Sequence, residues 1–410
     1  MRYLILLFTC LTFNLNAAEE STNYLLYKLE TKGIVTEAEA QVIKDQTAEE
    51  TKASLSSWVN YLNPKGDFRF RYQNDNPIGY SVNRDRVRVR VRGGIEPKVT
   101  DNIKVGVALS TGYNNNNISD VITDKDLSRS PNQTLGSGFS KKAVSLDLAY
   151  GEYIPVSWLA TTVGKFKNPI WEPGDLIWDT DINPEGAALK FNGTINSNIQ
   201  LFGTTDIFTL GEYATASDPL MYVLQAGIKH NIVEKLSYQF GVSYYGFSDI
   251  KGKQLDGSVL TNTVTADKKL VYNYKNIVGA VQFNFKNLFG EWLPSFSLFA
   301  EYINNCNTKV PGGNRDGYMV GANFGEEKLA SLSDWQVKYN YGKLAKDAVL
   351  DIFPDSDRYG GQTAMLSHEL IFNYALASSN YLGLDFYYGE KTVSAKKPAT
   401  VLQLDWNIKF

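Results

Sequence analysis

The chain has very little of the material from which enzyme sites are most often built. Only two of its 410 residues are cysteine and two are histidine. Two histidines are too few for a His-rich metal site. A Ser-His-Asp set is also disfavoured, because neither His230 nor His368 has a plausible serine partner. Gly-rich phosphate loops and nucleophile elbows do not occur in a strand-turn-helix context either. The sequence argues against an enzyme, and it predicts no cofactor and no metal.

Long apolar runs are also missing after the first twenty residues. A helix that spans a bilayer needs roughly 20 consecutive apolar residues, and no such run follows. At the start of the chain, Arg2 precedes an apolar stretch from Tyr3 to Phe13, and Asn16-Ala17-Ala18 follow it. That is the layout of a secretory signal, so we expect residues 1–18 to be removed as a signal peptide.

Removal of the signal peptide changes both the cysteine count and the charge. The formal net charge of −3 becomes one unit more negative, because Arg2 is lost and no acidic residue is. Cys306 then remains as a single cysteine, so no intrachain disulfide can form. A lipid-modified Cys10 is the alternative, but Thr9 and the short apolar run before it disfavour that interpretation.

The most informative pattern is a strict alternation of arginine and valine. Arginines stand at every even position from Arg84 to Arg92, while Val87, Val89 and Val91 take odd positions. A period of two is typical of a strand with two different faces, and valine fits a pleated surface better than a helix. In a soluble sandwich the valines would meet a core, whereas in a membrane barrel they would meet lipid.

Similar alternation continues through the chain from Gly66 to Phe410. Outward apolar sets such as Phe68/Phe70/Tyr72 and Val144/Leu146/Leu148 have mostly polar or glycine partners between them. With an ambiguous strand at Leu159–Phe166, about 16 strands can be counted, and bacterial barrels have an even number. Short links alternate with long ones, which is the barrel arrangement. We therefore predict an all-β transmembrane protein, with a closed antiparallel barrel over residues 66–410.

Residues 19–60, ahead of the barrel, have a different character. A thin apolar stripe runs among glutamates and lysines, and Thr36 followed by Glu39 is an N-cap pattern. We predict a short periplasmic helical segment here. A flexible tether with transient helix is the alternative, because so thin a stripe stabilises a helix poorly.

An arginine turned toward lipid near the bilayer midplane costs roughly 2 to 4 kcal/mol, so the arginines of the barrel must face water. Lysines of the same strand parity are expected beside them. We predict the following pore-lining basic residues: Arg69, Arg71, Arg86, Arg88, Arg90, Arg92, Lys104 and Lys190.

The chain resembles the putative-porin families of Gram-negative bacteria. The residues that carry this resemblance are the segment 29–40, the strand Arg84–Gly94, and the stretch Trp178–Gly186. The closing strand, alternating from Leu402 to Phe410, is similar to the last strand of outer-membrane barrels, which the barrel-assembly machinery reads. The resemblance implies a homotrimeric passive diffusion channel in the outer membrane, surrounded by lipid and lipopolysaccharide and conducting small ions and solutes. We expect no nucleic-acid partner.

The third loop, about 167–184, is strongly acidic. We predict that it folds into the lumen and sets its carboxylates opposite the arginines, which would order water and dipolar solutes across a narrow pore. The predicted constriction residues are Glu172, Asp175, Asp179, Asp181 and Glu185. A solvated external loop that binds divalent ions near lipopolysaccharide is the alternative. Basic groups exceed acidic ones on the wall, so we expect a weak anion preference. A structural or adhesive barrel without an open pore is the alternative function.

Overall fold

The computed structural model describes residues 62–76, 82–112, 128–136, 138–290, 292–393 and 398–410, and seven separate positions between 29 and 43. The chain divides into two compact units, Met1–Asn63 and Pro64–Phe410. The predicted signal peptide and most of the predicted helical segment 19–60 lie outside the described residues. At two described positions of that segment, the Thr36 backbone N–H donates to the Glu39 carboxylate at 2.9 Å and the Glu39 N–H donates to the Thr36 hydroxyl at 3.3 Å.

Antiparallel strands make up the described part of the second unit. They are β1 (Pro64–Asn76), β2 (Arg84–Ile95), β3 (Lys98–Thr100), β4 (Ile103–Thr111), β5 (Gln133–Thr134), β6 (Val144–Val156), β7 (Leu159–Lys165), β8 (Glu185–Asn196), β9 (Ile199–Thr209), β10 (Leu220–Val233), β11 (Leu236–Ser248), β12 (Lys275–Lys286), β13 (Ser295–Asn305), β14 (Asp316–Gly325), β15 (Trp335–Leu344), β16 (Met365–Ala377), β17 (Asn380–Lys391) and β18 (Ala399–Lys409). Two 3-10 turns, Gly312–Asn314 and Tyr359–Gly361, are the helical elements of this described part. No described helix has the length and apolar character needed to cross a membrane.

The sheet closes on itself. Leaving aside the two short strands β3 and β5, sixteen strands form the wall, each antiparallel to its neighbours. β1 pairs with β2 on one side and with β18 on the other, with Phe68 opposite Val91 and also opposite Ile408. The predicted closed antiparallel barrel of about 16 strands is confirmed.

Alternation along each strand produces the two faces of the wall. In β2, Val87 and Val91 lie on the outer surface, whereas Arg88 and Arg90 are buried inside. Aromatic side chains collect on the outer surface near the strand ends, as in the edge-to-face pair of Phe68 and Trp406. Such aromatic girdles suit side chains that contact both lipid and the membrane interface. The outer surface is therefore suited to lipid.

Connection lengths differ between the two ends of the barrel. Two-residue turns join β6 to β7, β8 to β9, β10 to β11 and β16 to β17 at the end that also holds the start of β1 and the end of β18. The opposite end carries the long loops, which we name L2 (112–143), L3 (166–184), L5 (249–274) and L7 (345–364). Hence L3 and L7 enter the barrel from the same end.

One predicted outward residue faces inward. A bulge between β4 and β6 shifts the register at Ala108 and Leu109, so that Ala108 pairs with Leu148 and Leu109 pairs with Leu146. Leu148 therefore moves to the inner face and is buried, and its prediction as a lipid-facing residue was wrong. A single extra residue reverses every later side chain of a strand, because the side-chain period is two.

The inner face is not polar throughout. Inward side chains of β10, β13 and β14, including Met221, Phe299 and Met319, are buried and apolar. They pack in one cluster with buried apolar residues of L3 and L7, such as Ile177 and Phe353. The expectation that inward positions are mostly polar was wrong for this part of the wall, because loop residues cover it and exclude water from it.

Candidate functional site: the charged interior of the barrel

Three strands at the seam of the barrel carry a cluster of inward charges. Arg69 and Arg71 on β1 lie opposite Arg90 and Arg88 on β2, and Arg71 also lies opposite Asp405 on β18. We call six of the seven arginines of β1 and β2 the arginine ladder. They are Arg69, Arg71, Arg86, Arg88, Arg90 and Arg92, and Arg84 at the rim is left out. Their alternation with outward valines and phenylalanines is what brings them to one surface.

Most of the ladder is paired with carboxylates on the same strands. Arg71 holds Asp405 with two hydrogen bonds of 2.7 Å each. Asp67 accepts hydrogen bonds from Arg90 at 2.9 Å and from Arg92 at 2.7 Å. Such charge-assisted pairs are favourable because each buried charge keeps a partner. They also reduce the net positive potential of the ladder.

The end of the ladder on the side of the long loops also has polar partners. Arg86 lies 2.7 Å from Asp75. Arg88 donates to the side chain of Gln73 and to the backbone carbonyl of Asn132, both at 3.1 Å. Asn132 belongs to L2, and the next residues form β5, which pairs with β2. L2 therefore returns to the wall and pairs with β2 beside the ladder.

Two glycines mark the entry and exit of L3. Gly164 and Gly186 lie opposite each other in β7 and β8, with φ of +117° and +152°. A Cβ atom on either residue would come within about 2.2 Å of a neighbouring backbone oxygen. Only glycine adopts this backbone without strain. The chain can therefore turn away from the wall at both ends of L3.

L3 contacts inward-facing side chains far around the barrel. Its Trp171 backbone N–H donates to Gln225 of β10 at 2.8 Å, and Glu172 accepts a hydrogen bond from Tyr245 of β11. A Cβ on Gly174 would lie 2.4 Å from the sulfur of Met319 on β14. L3 thus packs directly on the inner surface of strands distant from β7 and β8.

The predicted constriction carboxylates do not act as one group. Asp181 reaches the ladder, 3.0 Å from Arg92 and 3.9 Å from Arg90. Asp175 pairs with Arg358 of L7, and Asp179 accepts a hydrogen bond from the Ser356 backbone N–H at 3.0 Å.

The remaining two predicted residues also lie apart. Glu172 contacts Tyr245, as described above. Glu185 begins β8 and pairs with Lys165 at the rim, with 63% of its side chain exposed. The expected row of loop carboxylates facing the ladder is therefore reduced to one residue, Asp181.

The predicted basic residues outside the ladder are Lys104 and Lys190. Lys104 lies 2.9 Å from Glu152 on the neighbouring strand. Lys190 lies on the inner face of β8, opposite Thr204, and no ion pair links it to another described residue. Beside the ladder, open space of about 250 Å³ is lined by Asp67, Arg92, Asp147 and Lys167, among others.

Burial changes the ionisation of several loop groups. It raises the pKa of Glu172 well above its usual range, and the nearby charge of Glu301 raises it further. Burial and the charge of Asp181 likewise raise the pKa of Asp179. Burial lowers the pKa of Lys167. The two carboxyl shifts favour a less negative loop, and the Lys167 shift acts in the opposite direction.

Sequence reasoning missed L7 as part of the interior. Its residues Asp357 and Arg358 contact Arg71 and Glu369 at 3.2 and 2.7 Å. A signal was present, because the stretch Ala348-Val349-Leu350 followed by Ile352-Phe353 is too apolar for a solvated loop.

A closed antiparallel barrel with an apolar outer surface and paired charges inside is the architecture of a transmembrane β-barrel. The family model described as "Putative porin" matches residues 74–274 and 282–410, so the chain belongs to that family. A comparison with curated proteins gave no match.

Solved structures show the same fold. The chain is similar to OprB of Pseudomonas putida in its high-pH structure, with a TM-score of 0.56 and 12% identity over 86% of this chain and 96% of that chain. The low-pH structure of OprB aligns with a TM-score of 0.50 and 11% identity over 89% and 97%. A mutant porin of Rhodopseudomonas blastica aligns with a TM-score of 0.43 and 9% identity over 85% and 100%, which is too distant to support an argument.

Proposed function

We propose that the protein is a passive diffusion channel in the outer membrane of a Gram-negative bacterium, and that it conducts small hydrophilic solutes and ions. The observation that carries this proposal is the arginine ladder, a row of inward charges beside open space, in a barrel whose outer surface is apolar. Charges at these positions are stable only beside water or partner charges. Membership of a porin family supports the same function.

The third loop restricts the pore in this proposal. Its contacts with Gln225 and Tyr245 on one side and with Arg92 on the other support a course across the lumen. A solute that passes between Asp181 and the ladder would meet charges of both signs across a short distance. Width and charge balance at that point then determine selectivity.

We also propose a weak anion preference. The ladder is largely neutralised by its own carboxylates, which argues for a small effect. However, the raised pKa values of Glu172 and Asp179 favour the neutral forms of these two L3 carboxyl groups. Lys190 adds a cation that no described carboxylate pairs. We therefore expect the preference for anions to be small.

The assembly belongs to the proposal as well. Family membership favours a homotrimer, surrounded by outer-membrane lipid and lipopolysaccharide. The apolar closing strand β18, which ends next to Phe410, suits recognition by the barrel-assembly machinery. Cross-linking of the purified protein in mild detergent, followed by mass measurement, tests the oligomeric state.

Single-channel recording tests the central claim. The purified protein, inserted into a planar lipid bilayer, should give stepwise conductance. In a KCl gradient, the sign of its zero-current potential should show that Cl⁻ permeates slightly more readily than K⁺. A folded protein that gives no steps would favour the alternative, a structural or adhesive barrel. The apolar cluster that fills part of the interior is the observation in favour of that alternative.

A further inference from the structure

L7 is a long loop whose residues are unusually well buried. Its segment from Asp347 to Phe353 has side chains between 0% and 9% exposed. The segment lies outside the strands, so lipid does not cover it. It is covered instead by L3, by L5 and by the inner face of the wall, as the following contacts show.

L7 and L3 are in direct contact at several points. The rings of Phe353 and Trp178 lie 4.3 Å apart between centroids. The Asp179 backbone N–H donates to the Phe353 carbonyl at 2.8 Å, and the Ser356 N–H donates to the Asp179 carboxylate at 3.0 Å. The two loops therefore pack as one unit.

L5 and L2 hold L7 from the other side. Asp351 of L7 accepts hydrogen bonds from the Ser258 hydroxyl at 2.8 Å and from the Thr261 backbone N–H at 2.7 Å. Arg129 of L2, which is 2% exposed, donates to the carbonyls of Asp351 and Pro354 at 3.2 and 3.0 Å. A buried guanidinium that satisfies loop carbonyls fixes the loop in one position.

Arg358 connects L7 with both L3 and the wall. Its side chain is fully buried and donates to Asp175 of L3 at 2.8 Å, to Glu369 of β16 at 2.7 Å and to Ser367 of β16 at 3.0 Å. The next residue toward the amino terminus, Asp357, lies 3.2 Å from Arg71. L7 therefore reaches from the β16 wall to the arginine ladder.

We propose that L7 is a second pore-restricting loop, which Arg358 clamps to L3, and that Asp357 is a specificity-determining carboxylate opposite the arginine ladder. The inference rests on the proposed channel function and deepens it. L3 and L7 together then define the width of the pore. The carboxylates nearest Arg71 are Asp357 of L7 and Asp405 of β18, and none of them belongs to L3. Burial alone would raise the pKa of Asp357, but the charges of Arg71, Arg88 and Arg69 and a hydrogen bond from Gln403 together outweigh it and lower that pKa. The ionised form of Asp357 is therefore favoured.

Conductance of Arg358→Gln tests the clamp. Loss of the guanidinium leaves Asp175 and Glu369 without their shared partner, so L7 and L3 should separate and single-channel conductance should rise roughly twofold. Asp175→Asn should also raise the conductance. The conductance of the double variant should be close to that of the single variants, because both substitutions remove the same Arg358–Asp175 contact. Arg84→Gln at the rim, where the described residues show no ion pair, is the matched control.

Asp357→Asn tests specificity without disturbing the clamp. Its zero-current potential in a KCl gradient should move toward anion preference, whereas Asp256→Asn on exposed L5 should not move it. Heat-modifiability on a gel verifies that each barrel is folded, and Arg358→Lys replaces Arg358→Gln if the latter does not fold.

Three outcomes separate the possibilities. A conducting wild type whose Arg358 and Asp357 variants are folded and unchanged overturns the role of L7 and leaves the channel function intact. A silent wild type that opens in the Arg358 variant supports the role of L7 and contradicts an open channel. A silent wild type with silent, folded variants overturns both.

Discussion

Arg71 on the first strand and Asp405 on the last strand lie opposite each other and form a two-point ion pair, with Nε–Oδ1 and Nη2–Oδ2 both at 2.7 Å. Both side chains are almost completely buried. The pair therefore joins the two ends of the barrel wall inside the lumen. Removal of Asp405 leaves Arg71 as a buried charge, with Asp357 still 3.2 Å away.

We accordingly expect Asp405→Asn to destabilise the barrel by about 3 kcal/mol, the lower end of the range for a broken buried pair, because Asp357 still contacts Arg71. Unfolding of the vesicle-embedded barrel by urea, with the folded fraction read from gel mobility, measures the change. Asp101→Asn, in an exposed turn, should leave the midpoint unchanged. Equal midpoints for both variants would show that the seam pair contributes little.

The ladder and Asp181 should have opposite effects on ion selectivity. Replacing Arg90 and Arg92 with Gln removes two charges of the ladder, of which Arg92 lines the open space, and we expect the anion-to-cation permeability ratio to fall roughly twofold. Asp181→Asn removes the opposing charge and should raise the ratio. Zero-current potentials in a salt gradient give both values. Lys251→Gln together with Lys268→Gln, on the exposed part of L5, is the control, and an effect as large from that control would contradict a local role for the ladder.

Loop packing should weaken as the pH rises. The pKa values of Glu172 and Asp179 are raised in the folded protein above their ordinary values of 4.5 and 3.8. The folded loop therefore binds protons more tightly than a released loop, and the stability that this provides is complete below pH 3.8 and is lost as the pH rises through the raised values. Conductance should grow with pH above 4.5. A channel carrying Glu172→Gln and Asp179→Asn should respond less, and an equal response would assign the pH effect to other groups.

Cys306 offers a topology test that needs no substitution. It follows β13 at the end of the barrel that carries the long loops, and it is exposed. If the long loops face the cell exterior, an impermeant maleimide should label intact cells at Cys306. Cys306→Ser should abolish labelling, and Ser197→Cys in that background, at a two-residue turn, should label only after lysis. Labelling of Ser197→Cys on intact cells would invert the orientation.

Strand parity made most of the wall predictable. The arginine and valine of β2 and the closing alternation of β18 each follow from one physical demand, which is that neighbouring residues meet lipid and water in turn. The same parity failed at Leu148, because a bulge inserts one residue without leaving a mark in local composition. Register across a strand pair is a property of two segments, and one segment read alone does not contain it.

The interior was less predictable than the wall. Strands such as β13 and β14 carry consecutive apolar residues, for example Tyr302-Ile303 and Tyr318-Met319-Val320, which indicate that both faces are covered. Which loop covers the inner face is decided by long-range contacts. Arg358 and its partner Asp175 are 183 residues apart in the chain, and no local pattern relates them. The role of Gly164 and Gly186 could not be predicted either, because their positive φ depends on the pairing of β7 with β8.

The seam pair also has a consequence for how the chain is assembled. Arg71 and Asp405 are separated by 334 positions, so the first strand is synthesised long before its partner exists. Until the last strand arrives, an inserted first strand would present an uncompensated guanidinium within a hydrocarbon environment, at a cost that the chain avoids by remaining outside. Strand pairing at the chain ends and membrane insertion are therefore thermodynamically coupled. If the protein inserts into the outer membrane as we propose, truncated chains that lack the final strand should fail to insert.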